Sequence, residues 1–115
     1  MTLGQKQRVF TLAVAQLIEH AYELGYEVSL GDAYRDPRVF GNHGNRRKGA
    51  YGRKTSLHKL RLAIDLNLFR DGEYLAETAD HAKLGLWWQE NDELAVWGGD
   101  WNDGNHYSFS HNGCR

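Results

Sequence analysis

From Leu62 to Phe69 the chain alternates without a break, with Leu62, Ile64, Leu66 and Leu68 on one parity and Ala63, Asp65, Asn67 and Phe69 on the other. A period of two is the repeat of a β-strand with one buried face. Asp65 therefore projects from the middle of a well-packed strand, away from the Leu/Ile side. A carboxylate in that place needs a partner, because burying it unpaired costs on the order of several kcal/mol. His58 stands seven residues upstream, where a Gly- and Arg-rich loop enters the strand. A second alternating stretch, His106–Ser110, puts His106, Ser108 and Ser110 on one side and Tyr107 and Phe109 on the other. Pairing the two stretches would bring His106 and Asp65 to one polar face. Two imidazoles and a carboxylate are a ligand set for catalytic zinc, which keeps a further position open. Asp103, three residues before His106 on a predicted turn, suits a general base beside such a centre.

In combination these residues resemble the D-Ala-D-Ala carboxypeptidase and L-alanyl-D-glutamate endopeptidase family of zinc peptidases, which includes phage endolysins. The resemblance rests on Ser56-Leu57-His58, Asp65, Trp97-Gly98-Gly99-Asp100-Trp101, Asp103-Gly104-Asn105-His106 and the upstream pair Tyr34-Arg35. It runs from about Ser29 to Phe109. It implies an α+β fold, a small antiparallel sheet packed by helices with the zinc site on one sheet face, as in the Hedgehog and D,D-peptidase folds. It further implies zinc held by His58, Asp65 and His106, with Asp103 as general base and Arg35 stabilising the oxyanion. Ser56, Tyr34 and Trp101 would contact the substrate, a peptidoglycan stem peptide containing D-amino acids. Arg61 departs from the pattern, which usually has Gly three residues after the His. Gly there would permit an unusual backbone angle or a close approach.

Composition narrows the alternatives. A chain of 115 residues supports one domain with a single modest core. A net charge of −1 gives no bulk reason for nucleic-acid or membrane binding. The single cysteine, Cys114, excludes an internal disulfide and reads as incidental. No signal peptide or membrane-spanning run is expected, since Gln5, Lys6, Gln7, Arg8, Gln16, Glu19 and His20 interrupt the apolar residues of the N-terminal region. A wall-degrading enzyme of this kind would wait in the cytoplasm of the host cell as a monomer. A holin or similar membrane-opening partner would release it to the cell wall.

Along the chain, Phe10, Val14, Leu17, Ile18, Ala21 and Leu24 form one helical stripe, predicting a helix over about 4–24 that stops at Gly25. Glu27–Tyr34 reads as a first strand, with Pro37 ending regular structure. Phe40–Thr55, with four glycines and the basic residues Arg46, Arg47, Lys48, Arg53 and Lys54, reads as a long flexible loop: either a solvated insertion, or a border of the cleft that contacts the carboxylates of the stem peptide, with nucleic-acid binding a weaker third reading. Asp71-Gly72 marks a turn. A helix is expected near Thr78–Asn91, with Ala79, Ala82, Leu86 and Trp87 or Trp88 facing inward. His20, His43 and His81 are read as surface or structural histidines, Asp100 as the rival to Asp103, and His111-Asn112 as an incidental tail.

The reading of the whole is a zinc endopeptidase cutting the L-Ala-D-Glu bond. A D,D-carboxypeptidase releasing terminal D-Ala is the close alternative. A second class is a catalytically inactive, zinc-containing wall-binding module, which Arg61 keeps open. A metal-dependent nuclease is a third, prompted by the basic loop and disfavoured by the acidic balance.

Overall fold

The computed structural model describes residues 1–47 and 52–115; Lys48, Gly49, Ala50 and Tyr51 of the predicted basic loop lie outside the described residues. In chain order the elements are α1 (Leu3–Glu23), β1 (Glu27–Leu30), the short helix α2 (Pro37–Phe40), a 3₁₀ turn at Leu57–Leu60, β2 (Ala63–Arg70), β3 (Glu73–Leu75), a 3₁₀ turn at Thr78–His81, α3 (Ala82–Asn91), β4 (Ala95–Trp97), a 3₁₀ turn at Gly98–Trp101, and β5 (His106–Phe109). The fold is α+β, an open antiparallel sheet packed by helices. Its strand order is β1-β2-β5-β4, with β3 also paired to β2. No helix among the described residues is long and apolar enough to cross a membrane.

β2 is the strand on which the sheet is built. It pairs with β1 along Leu66–Phe69, with β3 along Leu68–Arg70 and with β5 along Ala63–Asp65. The predicted parity holds from Ile64 onward: Leu62, Ile64, Leu66 and Leu68 are buried, and Asp65, Asn67 and Phe69 are partly exposed, while Ala63 on the outward side is buried as well. Burying a Leu-sized side chain stabilises by about 1.5–3 kcal/mol relative to exposure, so a one-residue slip that inverted this row would be strongly disfavoured. β2 turns into β3 through Asp71-Gly72, both with positive φ (51° and 78°), as the dipeptide predicts.

α1 begins with a capping box in which Thr2 and Gln5 exchange side-chain and backbone hydrogen bonds. It ends just before Gly25. Phe10, Ala13, Val14, Leu17 and Ala21 are its buried face. Phe10 meets Phe109 edge-on with ring centroids 5.2 Å apart, and Trp88 of α3 stacks on Phe109 at 5.6 Å. The sheet is thus covered by two helices meeting at one aromatic cluster.

Several local expectations are corrected. Pro37 starts a helical turn rather than ending structure, because Asp36 caps the N–H of Arg38 and proline is favoured at the first helical position. β1 ends at Leu30, and Leu30 itself is exposed, as befits an edge strand. In α3 the inward residues are Leu84, Gly85 and Trp88, whereas Leu86 and Ala79 are exposed. The helix enters through a 3₁₀ turn, which shifts its face relative to a helix begun at Thr78.

Candidate metal centre

Asp65 and His106 are direct partners across β2 and β5. The Nδ1 of His106 lies 3.8 Å from Asp65 Oδ1, and the Nε2 of His58 lies 3.3 Å from the same oxygen. One donor atom from each of the three residues falls within 4.8 Å of the others. Ligands about 2.0–2.2 Å from a tetrahedral zinc stand roughly 3.3–3.5 Å apart, so the two measured separations fit such an ion with little adjustment. The three residues predicted as ligands are the ones brought together.

His58 sits on the 3₁₀ turn that precedes β2, and that turn is capped by Ser56, whose Oγ accepts from the His58 N–H at 3.2 Å. The Nδ1 of His58 is 3.2 Å from the Ala33 carbonyl. A proton on Nδ1 satisfies that carbonyl and leaves the Nε2 lone pair facing Asp65, an outer contact that fixes ring and tautomer. The extension of β1 supplies that carbonyl: Gly31 N–H donates to Asp65 O at 2.8 Å, and Asp65 N–H to Asp32 O at 2.8 Å.

Burial, then the neighbouring His58, lowers the pKa of His106 to about 4. Its ring is therefore neutral at pH 7, the form a metal requires.

Asp103 Oδ2 lies 3.9 Å from His106 Nδ1. Burial and the nearby Asp65 carboxylate raise its pKa above the ordinary value, while the indole N–H of Trp101 pulls weakly the other way without a hydrogen bond of normal geometry. The backbone behind it explains the Trp-Gly-Gly run. Asp103 N–H donates to Gly98 O at 2.9 Å, and a Cβ on Gly98 would meet Asp103 O at 2.1 Å. Only glycine allows the Asp103 turn to lie so close. Asp100 is exposed and is not among the residues that border the cleft.

Over the triad opens a polar cleft of about 210 Å³, whose walls include Arg35, Ser56, Asp103, Arg53 and Arg115. Arg35 donates to Ser56 Oγ at 2.7 Å and lies 3.6 Å from Asp32. Ser56 therefore ties Arg35 to the His58 turn. Trp101 meets the His106 ring edge-on at 5.5 Å, behind the cleft, and is not among the residues that line it. Tyr34 is placed elsewhere: it lines a separate apolar groove with Phe10, Val14, Arg61 and Ile64. Arg61 adopts the left-handed conformation (φ 56°, ψ 36°) at the end of the His58 turn, and its guanidinium covers the Tyr34 ring at 4.0 Å. The departure from glycine is accommodated in the backbone, outside the cleft over the triad.

The basic loop is tied down at three of its described residues. The buried ammonium of Lys59 donates to the carbonyls of Phe40 (3.1 Å), Asn45 (2.5 Å) and Lys54 (3.4 Å). Burial, then Arg35 and Arg46, lower its pKa. His20 stacks on Trp87 at 4.3 Å, and His81 Nδ1 lies 2.8 Å from the Tyr107 hydroxyl, both structural contacts. His43 Nε2 lies 3.2 Å from the Thr55 carbonyl, away from the cleft.

Of the wall residues, Arg53 belongs to the basic loop expected to border the cleft, whereas Arg115 is not anticipated from the sequence. Arg115 had a signal in Asn112-Gly113: both residues take positive φ (47° and 79°) in a tight turn closed by reciprocal His111–Cys114 backbone hydrogen bonds of 3.0 and 2.8 Å. The tail is folded, and it carries Arg115 back over Trp101.

No protein-family model matches this chain, and none of the curated proteins compared with it matches either.

Proposed function

We propose that the protein is a zinc-dependent peptidoglycan peptidase that cuts a stem peptide, at the L-alanyl-D-glutamate bond. The observation that carries this reading is the convergence of His58, Asp65 and His106 in one cleft with Asp103 beside His106. The motif resemblance of the same residues supplies the substrate class.

The donor set fits zinc: two imidazole nitrogens and one carboxylate oxygen, with the far nitrogen of His58 already engaged and the His106 ring held neutral by burial. Zinc held there would supply a Lewis acid for the scissile carbonyl and make water at the site more acidic. Asp103 accepts the proton of the attacking water on its carboxylate and returns it to the nitrogen of the leaving amine. Its raised pKa brings it nearer the range where a general base works well. Arg35, fixed by Ser56 and Asp32, offers a preorganised guanidinium to the negative charge developing on the carbonyl oxygen. Ser56 acts by holding Arg35 and His58 in register. Three arginines around the cleft favour an acidic peptide over a neutral one.

The test is digestion of purified peptidoglycan with mass spectrometry of the products, comparing wild type, Asp103→Ala and chelator-treated protein. New amino termini at D-Glu, lost in both controls, support the reading. Release of free D-Ala would instead identify a carboxypeptidase. Absence of product from folded, zinc-loaded protein would point to a binding module.

A further inference from the structure

Trp101 carries two guanidinium groups: Arg115 lies 4.5 Å and Arg53 5.8 Å from its ring centre, and both border the metal cleft. They come from distant parts of the chain, and each is held by independent structure. Arg53 precedes Lys54, whose carbonyl is gripped by the buried Lys59 ammonium. Arg115 follows the tight His111–Cys114 turn, itself pinned by Lys6, whose ammonium reaches the Ser110 carbonyl at 3.3 Å and His111 Nδ1 at 3.0 Å. Among the described residues neither arginine has an ion-pair partner, whereas Arg35 in the same cleft faces Asp32. Stacking on an aromatic ring fixes a guanidinium while leaving its N–H edge free to bind a planar anion.

We propose that Arg53 and Arg115, seated on Trp101, form an anion subsite that binds a carboxylate of the substrate not involved in the bond being cut. This subsite is separate from Arg35, which acts at the scissile carbonyl. The inference rests on the peptidase reading for the identity of the peptide. In an L-alanyl-D-glutamate stem, with glutamate linked onward through its side chain, the free α-carboxylate stands one carbon from the scissile nitrogen. That places an anion within reach of a cleft whose ceiling is cationic. Charge-assisted, planar pairing is the chemistry of the site, and a carboxamide in place of the carboxylate would lose the charge and one acceptor.

The experiment is calorimetric binding of two synthetic stem peptides to the zinc-loaded Asp103→Ala protein, one with the free glutamate α-carboxylate and one with the carboxamide. The acid is expected to bind about tenfold tighter at low salt, with the difference shrinking as ionic strength rises. Adding Arg115→Gln or Arg53→Gln should erase most of that preference, while Arg115→Lys should retain only part of it, because lysine cannot form the planar fork. Equal binding of the two peptides, or an undiminished preference in both glutamine variants, overturns the proposal. Zinc content and peptidoglycan digestion by the Asp103-intact protein are scored separately. A protein that digests the wall yet ignores the carboxylate refutes the subsite alone. A protein that prefers the carboxylate but cuts nothing refutes the peptidase reading alone.

Discussion

Asp65 and His106 face each other across β2 and β5 as register partners, with Oδ1 3.8 Å from Nδ1. Two of the three candidate ligands are thereby set by sheet register rather than by loop conformation. A slip of one residue would send His106 to the opposite face. The same register buries Tyr107 and Phe109 in the core, so the apolar packing of β5 holds the polar pair in place.

Asp65→Asn keeps the shape of the side chain and removes its charge. Zinc affinity is expected to fall by more than about 100-fold, since even loss of an outer contact to a metal ligand commonly costs 10–100-fold. The metal-free variant should keep its fold, because the side chain is partly exposed and an amide can still hydrogen-bond the His58 and His106 rings. Competition against a chromophoric chelator measures the affinity, and circular dichroism the fold. Wild-type zinc affinity in Asp65→Asn would show that the triad is not the binding site.

Two buried histidines set the acid response of the metal-free protein. His106 titrates at about 4 because of burial and then His58, and His81 is lowered chiefly by burial. Both folded values lie below the unfolded value near 6.5. Their contribution is complete above that pH and is lost as the pH falls toward the folded values, because the unfolded chain binds protons first. His106 alone accounts for on the order of 3 kcal/mol across that window. Asp103 works in the opposite sense, its raised folded pKa favouring the folded state at low pH, but its side chain is 46% exposed and its effect smaller. Urea titrations of chelator-treated protein between pH 7 and 4 should show stability falling steadily. A flat profile would contradict the buried, neutral state of these rings.

The central strand, the first helix and the Asp71-Gly72 turn were legible because each has a strong local period or turn signal. The candidate ligand triad is legible because β5 alternates as β2 does, which matches Asp65 to His106 from the sequence alone. What stayed hidden depends on contacts between distant residues. Nothing local marks Lys59 as buried: its cage consists of the backbone carbonyls of residues 40, 45 and 54. Tyr34 was assigned to the substrate by motif, yet the turn that brings Arg35 into the cleft sends Tyr34 to the groove beside α1. The face of α3 is legible only in part: Trp88 does face inward, but the 3₁₀ entry changes the rotation per residue before Ala82 and leaves Ala79 and Leu86 exposed. Arg115 was overlooked although Asn112-Gly113 is a strong turn signal, because a turn without a second apolar strand after it looks like a tail.

Arg61 gives a test of whether its backbone or its side chain matters. A non-glycine residue in the left-handed region costs about 1–2 kcal/mol, partly offset here by roughly 0.5–1 kcal/mol from stacking on Tyr34. Arg61→Gly relieves the strain but loses the stacking and makes the unfolded chain more flexible. Its stability should therefore stay within about 1 kcal/mol of wild type. Arg61→Val should be destabilised by about 2 kcal/mol, since a β-branched residue tolerates this conformation poorly. Urea midpoints measure both. Equal midpoints for the Gly and Val variants would show that the backbone angle is not under strain.

Lys59 makes the last and sharpest structural prediction. Its almost completely buried ammonium donates to three carbonyls; those of Phe40 and Lys54 also accept from the N–H of Arg47 and Gly44, while that of Asn45 depends on the lysine. Lys59→Met preserves the apolar stem and removes the donors. The expected loss is about 1–3 kcal/mol, chiefly from the Asn45 carbonyl left without its donor and from the weakened tie to Phe40 and Lys54. Loosening should be greatest around Lys54, so trypsin should cut after Arg53 or Lys54 at least about tenfold faster than in wild type under native conditions. Because Arg53 hangs from that anchored segment, carboxylate preference should weaken in Lys59→Met while zinc affinity holds, His58 being fixed separately through Ala33. Loss of zinc affinity together with loop opening would mean that Lys59 supports the whole His58 turn, and that the cleft wall and the metal site are a single cooperative unit.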